Sequence, residues 1–416
     1  MSNQQKLQQP ITNGSLRVTN FFNGRLVTSA DMTREQIARR EAVSRLGLAT
    51  GDGIVEGLRV EKSATAGSEP VVNIGAGLAV NRCGQVLYLS NDTTVNLLNR
   101  LGITEQASNI FATCQPLQVG TYTAGFGLYL LVLSPAETRE GSAPTSGLRN
   151  AFATCNTDVI LEAVQFRLLP IDPFLANEVL PNNRLRNYIA YRCFGTAETQ
   201  GFYQNPLGFS RSAYGLMDEM RDKTLSKSDV PLAIINWTSN GLNFVEMWAV
   251  RRRLTTRNDA NDWTQLGSDR RLSETEAIIQ QFADHIKDAQ PEINDFREVE
   301  AVDFFYYLPP VGMLPLATST AKVGFNLENF FGDRRLDDVA MLDGEQLQPL
   351  MREALMHEPV NLNSDEKIQV YFIKENFLAA QAKQVKQITV VFAKRSLPYY
   401  GTARFDLADW NFSRFV

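Results

Sequence analysis

The hydrophobic rhythm of the chain changes several times, and each change marks an element. Residues 1 to 20 form a polar arm without periodic apolar positions. From Thr28 the rhythm is helical. ADMTREQIARREAVSRLGL contains no Pro and no Gly before Gly47, and Thr28, Ser29 and Asp31 carry side chains that cap helices. One helix of about four to five turns is expected. Positions 32, 36, 39, 43 and 46 keep a heptad-like spacing but hold Met, Gln, Arg, Val and Leu, a seam apolar only at its ends. Such a helix leans on a partner rather than sinking into a core.

The period then falls to two. GDGIVEGLRVEK and PVVNIGAGLAVNRCGQVLYLSND alternate apolar and polar residues between glycine breaks, which predicts a small antiparallel β module over residues 52 to 98. Strand-like runs follow at FGLYLLVLSP and TDVILEAVQFRLLPID, with AETREGSAPTSGLRNAFATCN between them read as an exposed loop. VPLAIINW, TSNG and LNFVEMWAVRRRL read as strand, turn and strand, with Asn240-Gly241 supplying the turn. Helical spacing returns at SETEAIIQQFADHIKDA, where Ser273 and Glu276 are placed as a capping box, and at GEQLQPLMREALMHE. The last 50 or so residues return to strands. The alternating Phe405, Leu407, Trp410 and Phe412 of the tail suit a segment packed down on the body.

The fold class is therefore α+β, β-weighted: an N-terminal helix and small β module, then antiparallel β domains with inserted helices. Three regions are expected. Residues 1–98 make an arm, helix and attachment module; 99–300 a central β-rich domain with the hairpin 229–254 and helix 273–289; 301–416 a C-terminal α+β domain.

Charge and composition narrow the partners. A net charge of −5 offers no field for nucleic acid or an anionic membrane. The polar start MSNQQKLQQPITNGS lacks the apolar core of a secretory signal, and no apolar run approaches the roughly 20 residues that span a bilayer, so synthesis in the cytoplasm without membrane insertion is expected. Cys83, Cys114, Cys155 and Cys193 are scattered, which favours reduced, mostly buried thiols. A Cys114–Cys155 disulfide is the alternative, and it needs an oxidising compartment.

Motifs for chemistry are missing. The two histidines, His285 and His357, lie in charged helical segments and read as surface residues, and HEPVN lacks the second His of a zincin. Neither a nucleophile elbow nor a P-loop occurs. Asp337, Asp338 and Asp343 do not alternate as calcium-loop carboxylates do. A pair of carboxylates for glycoside hydrolysis is named by nothing in the sequence. No catalytic, cofactor or metal residue is expected.

Candidate contact residues do stand out. Phe21 and Phe22 precede Asn23-Gly24-Arg25, and NFFNGRLVTSADM is echoed by NFFGDRRLDDVAM, which contains Phe330 and Phe331. Adjacent side chains of an extended segment point opposite ways, so one Phe of each pair is expected to enter the core and the other to face outward. Trp248 and the run Arg251, Arg252, Arg253 lie on the expected second strand of the hairpin. The arginines are either a solvated strand end or a clamp on a partner's carboxylates.

The phrases FFNGRLVTSADMTREQ, GDGIVEGLRVE, VNIGAGLAVNRCGQVLYL, DVPLAIINW, FVEMWAVRRRL and FFYYLPPVGMLPL together resemble a family encoded with phage-tail-like contractile injection systems, most closely over Phe21 to Leu89 and Asp229 to Pro315. The N-terminal part is also distantly similar to attachment segments of phage baseplate and tail-fibre subunits. The resemblance implies a non-enzymatic structural subunit at the baseplate or its periphery. Its partners would be other particle subunits, in a homo-oligomer with a trimer as one arrangement. Phe21 and Phe22 would then be a short adhesive plug oriented by Arg25 and a carboxylate, behind the helix that Asp31 caps. Burial of one such ring in a partner is worth about 1.5–3 kcal/mol. A receptor- or glycan-binding module on the same kind of particle is the alternative, with LPYYGTARF as its aromatic surface.

Overall fold

The computed structural model describes residues 12–63, 70–97, 125–141, 158–171, 182–195, 215–221, 223–255, 269–289, 293, 295–317, 324–332, 336, 339–385 and 387–395. Among these the architecture is α+β, with sixteen strands outweighing eight mostly short helices.

The first helix, α1 (Ser29–Thr50), starts where its cap is. Thr28 and Asp31 form a reciprocal capping box, and the helix runs through Gly47 to end at Gly51. Two three-stranded antiparallel sheets follow. One orders β1 (Gly53–Gly57), β4 (Gly77–Val80) and β5 (Val86–Leu89); the other orders β2 (Val60–Lys62), β3 (Val71–Ile74) and β6 (Thr93–Asn96). Gly47 explains how α1 docks on this module. A Cβ there would sit 2.1 Å from the Gly84 carbonyl oxygen, and Gly84 itself has φ +77. Two glycines thus let the helix backbone meet a β turn directly.

The central sheet orders β10 (Gly241–Glu246), β9 (Val230–Thr238), β7 (Gly127–Glu140) and β8 (Val159–Pro170), all antiparallel. Its inner strands read as unbroken apolar runs because both faces are covered. Leu131 and Leu133 of β7 join Leu232 and Ile235 of β9 in a core shared with Ile54, Val72 and Leu87 of the N-terminal module. Leu130 and Val132 face the other way, onto Ile189 and Phe194 of α2 (Asn182–Phe194). One core therefore runs across residue 98.

The β7–β8 pairing continues well past the last β9 partner, from Leu133 out to Glu140 opposite Val159. Residues 136–140, expected as loop, are strand, and they belong to a projecting two-stranded ribbon that exposes Val159, Ile160 and Leu161. Glu137 and Glu162 face each other across this ribbon, a repulsive pairing. Arg40 of α1 answers both, at 3.5 and 2.9 Å.

After α3 (Leu216–Met220) and the β9–β10 hairpin, α4 (Asp269–Ala289) links the two halves of the molecule: Ala277 and Ile278 pack in the central core, Phe282 and Ile286 in the C-terminal one. It begins at Asp269, so Ser273 is a buried interior residue and not the expected cap. Arg270 and Arg271 make that extra turn possible by pairing with Glu274, Arg270 also with Asp218 and Arg271 also with Glu358.

The C-terminal part contains α5 (Ala301–Phe304), α6 (Leu327–Phe331), α7 (Gly344–Ala354) and α8 (Lys374–Gln381) around two sheets. The smaller sheet pairs β11 (Tyr307–Leu308) with β14 (Val360–Asn361). The larger orders β12 (Val311–Pro315), β16 (Thr389–Lys394), β15 (Ile368–Ile373) and β13 (Ala340–Leu342), with β13 and β15 parallel. The expected tail strand with Phe405, Leu407, Trp410 and Phe412 lies outside the described residues. So do residues 1–11 of the arm, Cys114, Cys155, Asp337 and Asp338. No helix among the described residues is long and apolar enough to cross a membrane.

Candidate assembly interface

The arm before α1 folds back along the helix. Gly14 accepts a hydrogen bond from Arg45 at 2.5 Å, and the Thr19 amide donates to Glu35, so the chain runs antiparallel to α1 and then reverses in a turn in which the Arg25 amide donates to Phe22 O. Asp31 is the hub of this arrangement. Its carboxylate accepts from the Thr28 amide at 3.0 Å and the Thr28 hydroxyl at 2.8 Å, and pairs with Arg25 at 2.6 Å and Arg34 at 3.1 Å. The Thr28 side-chain and backbone hydrogen bonds, then the Arg25 charge, hold the Asp31 carboxyl down at about 2. This contribution is fully present above the ordinary carboxylate value and is lost only as pH falls toward 2.

With its carboxylate found inside the chain, the Arg25 guanidinium also donates to Asn20 O at 2.7 Å and lies 6.0 Å from the Phe22 ring centroid. Phe21 and Phe22 end up on the outer corner, 52% and 63% exposed. Both face solvent, which corrects the expectation that one of them enters the core. Val18, Leu26, Val27 and Met32, near them in sequence, are exposed too, as are Val43 and Leu46 of the α1 seam.

The second Phe pair is placed differently. Phe330 and Phe331 close α6 and are 2% and 3% exposed. Phe330 touches Phe325 at 4.9 Å and Phe331 touches Phe392 at 5.2 Å between ring centroids. Neither is an outward contact residue, because a helix places both on the Phe-rich core where a strand would have split them.

Trp248 and the arginines also depart from expectation. β10 stops at Glu246, and residues 248–250 form a turn, so the alternating faces drawn through Met247 to Arg252 do not exist. The Glu246 carboxylate makes this turn by accepting from the Trp248 amide at 2.9 Å and the Ala249 amide at 3.2 Å. Arg252 turns inward to donate to the carbonyls of Trp248, Ala249 and Arg251, with its guanidinium 4.8 Å from the Phe194 ring centroid. Arg253 pairs with Glu276 at 3.4 Å, and Arg251 donates to Gly57 O at 2.6 Å. Arg252 is thus a structural residue, neither a solvated end nor a free clamp.

Behind the turn lies a polar cluster that no sequence pattern announced. Glu246 of β10, fully buried, pairs with Arg186 of α2 at 2.7 Å, and Arg186 reaches Asp288 of α4 at 2.7 Å. Asn187 accepts from the Tyr306 and Tyr307 amides and donates to Gln281, whose amide points toward Glu246 and His285. These groups satisfy one another. They fasten α2, α4 and the central sheet together.

His285 is buried there, against expectation, 4.8 Å from the Phe305 ring centroid. Burial and then the Arg186 charge push its pKa well below the ordinary value of 6.5. The folded imidazole stays neutral where the unfolded one takes a proton, so stability should fall as pH drops below about 6.5. Stability should therefore be lower at pH 5.5 than at pH 7.5. Urea unfolding at both pH values should show this loss in the parent and not in His285→Gln; equal losses in the two chains would refute it.

Cys193 is buried and its thiol is pushed up to about 12 by burial, so it behaves as a core residue. No group of three or more metal-ligating side chains occurs among the described residues. The aromatic stretch LPYYGTARF lies outside them.

The chain matches no protein family and no curated protein. Among solved structures, a crystal structure of TssK aligns with 50% of this chain and 53% of its own, at 11% identity and a TM-score of 0.22. The chain spans about half the length of that protein. A likeness this slight defines neither a shared fold nor a shared role.

Proposed function

We propose that this chain is a non-enzymatic structural subunit of a phage-tail-like contractile injection particle, seated at the baseplate or its periphery, where it binds other subunits and copies of itself. The carrying observation is the N-terminal corner. An ionic hub at Asp31 fixes the arm so that Phe21 and Phe22 stand in solvent, as do Val18, Leu26 and Val27. A run of exposed apolar residues held in front of a capped helix is unfavourable in a lone chain and useful where a partner covers it. The sequence resemblance from Phe21 to Leu89 covers the same segment. The buried polar groups, engaged with one another, suit a structural role.

The test is incorporation. The chain carrying Phe21→Ser and Phe22→Ser should enter particles at least about tenfold less well when expressed with the other subunits, since two rings are each worth about 1.5–3 kcal/mol on burial. Its thermal midpoint should stay within about 2 °C of the parent's, because neither ring belongs to the core. Normal occupancy of the double variant would sink the reading.

A further inference from the structure

One buried guanidinium nitrogen without a carboxylate partner among the described residues lies beside Trp248. The indole N–H of Trp248 donates to Asp284 at 2.5 Å, which fixes the ring. Two guanidiniums approach that ring: Arg59, from the turn between β1 and β2, at 5.8 Å, and Arg251, from the segment after β10, at 5.6 Å. Arg251 donates to Gly57 O, but its Nε is shut off from solvent without an acceptor. Arg59 is exposed, and its side chain makes neither a hydrogen bond nor an ion pair with any described residue. Two cations therefore gather on one aromatic ring with no carboxylate joining them. Burial and the Arg59 charge both pull the Arg251 pKa down, which fits an arrangement short of an anion.

We infer that Arg59, Trp248 and Arg251 form a seat for one carboxylate side chain, a Glu or Asp presented by a docking protein. A guanidinium fork matches a carboxylate through two parallel hydrogen bonds, and the ring face takes the aliphatic stem. The solvent-facing Arg59 guanidinium supplies the donors such a group would meet, beside the Arg251 charge. Nucleic acid is the poorer match, because a phosphate backbone is held by many cations, and this chain carries a net charge of −5. The seat joins the N-terminal module to the end of the central sheet, so an occupant would touch both. It rests on the assembly reading only for the kind of protein that presents the carboxylate.

The full chain is titrated at low salt with the tetrapeptide acetyl-(Glu)4-amide. The Trp248 indole N–H resonance, assigned by its loss in Trp248→Phe, is the readout. Saturable shifts are expected with this peptide and not with acetyl-(Gln)4-amide. Arg59→Gln should weaken binding at least about fivefold and Arg59→Lys by a smaller factor, since Lys keeps the charge without the fork. Arg59 is the residue to change because its side chain is exposed and makes no hydrogen bond or ion pair with a described residue, so the fold is kept. No saturable shift, an equal response to the Gln peptide, an unaltered affinity in Arg59→Gln, or equal binding of inorganic phosphate would each overturn the carboxylate seat. These titrations use the isolated chain, so their failure leaves the Phe21–Phe22 incorporation test standing, and the reverse holds.

Discussion

Glu246→Ala should lower the free energy of unfolding by about 3–5 kcal/mol, the usual range for removing one partner of a buried ion pair. The reasons are separable. Arg186 is buried and would keep only Asp288, whose side chain is largely in solvent. The amides of Trp248 and Ala249 would lose the acceptor that forms their turn. Orphaned donors of that kind cost about 1–3 kcal/mol each where water does not replace the acceptor. Glu246→Gln keeps an acceptor near both amides and loses only the charge, so it should fall between the parent and the alanine variant. Urea midpoints for the three chains decide the matter. A loss under about 1 kcal/mol for Glu246→Ala would mean the cluster is not what holds α2 and α4 to the sheet.

This same carboxylate shows where sequence reading stops. The strands LYLLVL and LAIINW, the hairpin closed by Gly241 and the Thr28 cap of α1 were legible because each depends on residues close together in the chain. Glu246 was not, since its partner Arg186 is 60 positions away and nothing in the pattern VEMWAVRRRL says that a glutamate will fold back on the next two amides. The turn it makes carried Trp248 and three arginines off the expected strand. The β7–β8 ribbon was missed for a related reason: AETRE is polar and reads as loop, yet ladder hydrogen bonds to β8 hold it extended where no core does. His285 looked solvated because its neighbours in sequence are charged, but α4 turns Phe282, His285 and Ile286 to one buried face. α8 was read as part of the final strands, although Lys374–Gln381 is helical. In the candidate interface the sequence singled out Phe21 and Phe22 and the Arg25 orientation device. Arg59, whose contact with Trp248 is purely tertiary, left no trace in it.

The two Phe pairs supply the sharpest remaining contrast, because nearly the same letters sit in opposite environments. Phe330→Ala should cost about 3–5 kcal/mol, the range for truncating a well-packed aromatic residue. Phe330 contacts Phe305, Phe325 and Phe331, and Phe331 leads on to Phe392 of β16, so the deletion opens a hole between α6 and the large C-terminal sheet. Rings held edge to face on several sides cannot all move in to fill it, which places the loss toward the upper part of that range. Phe21→Ala should change stability by less than about 0.5 kcal/mol, because its ring is 52% exposed and belongs to none of the core clusters. Urea unfolding of the two single variants separates the cases. Similar small losses would return Phe330 to the list of contact residues; a loss of several kcal/mol for Phe21→Ala would show that the arm holds the body together instead of standing ready for a partner.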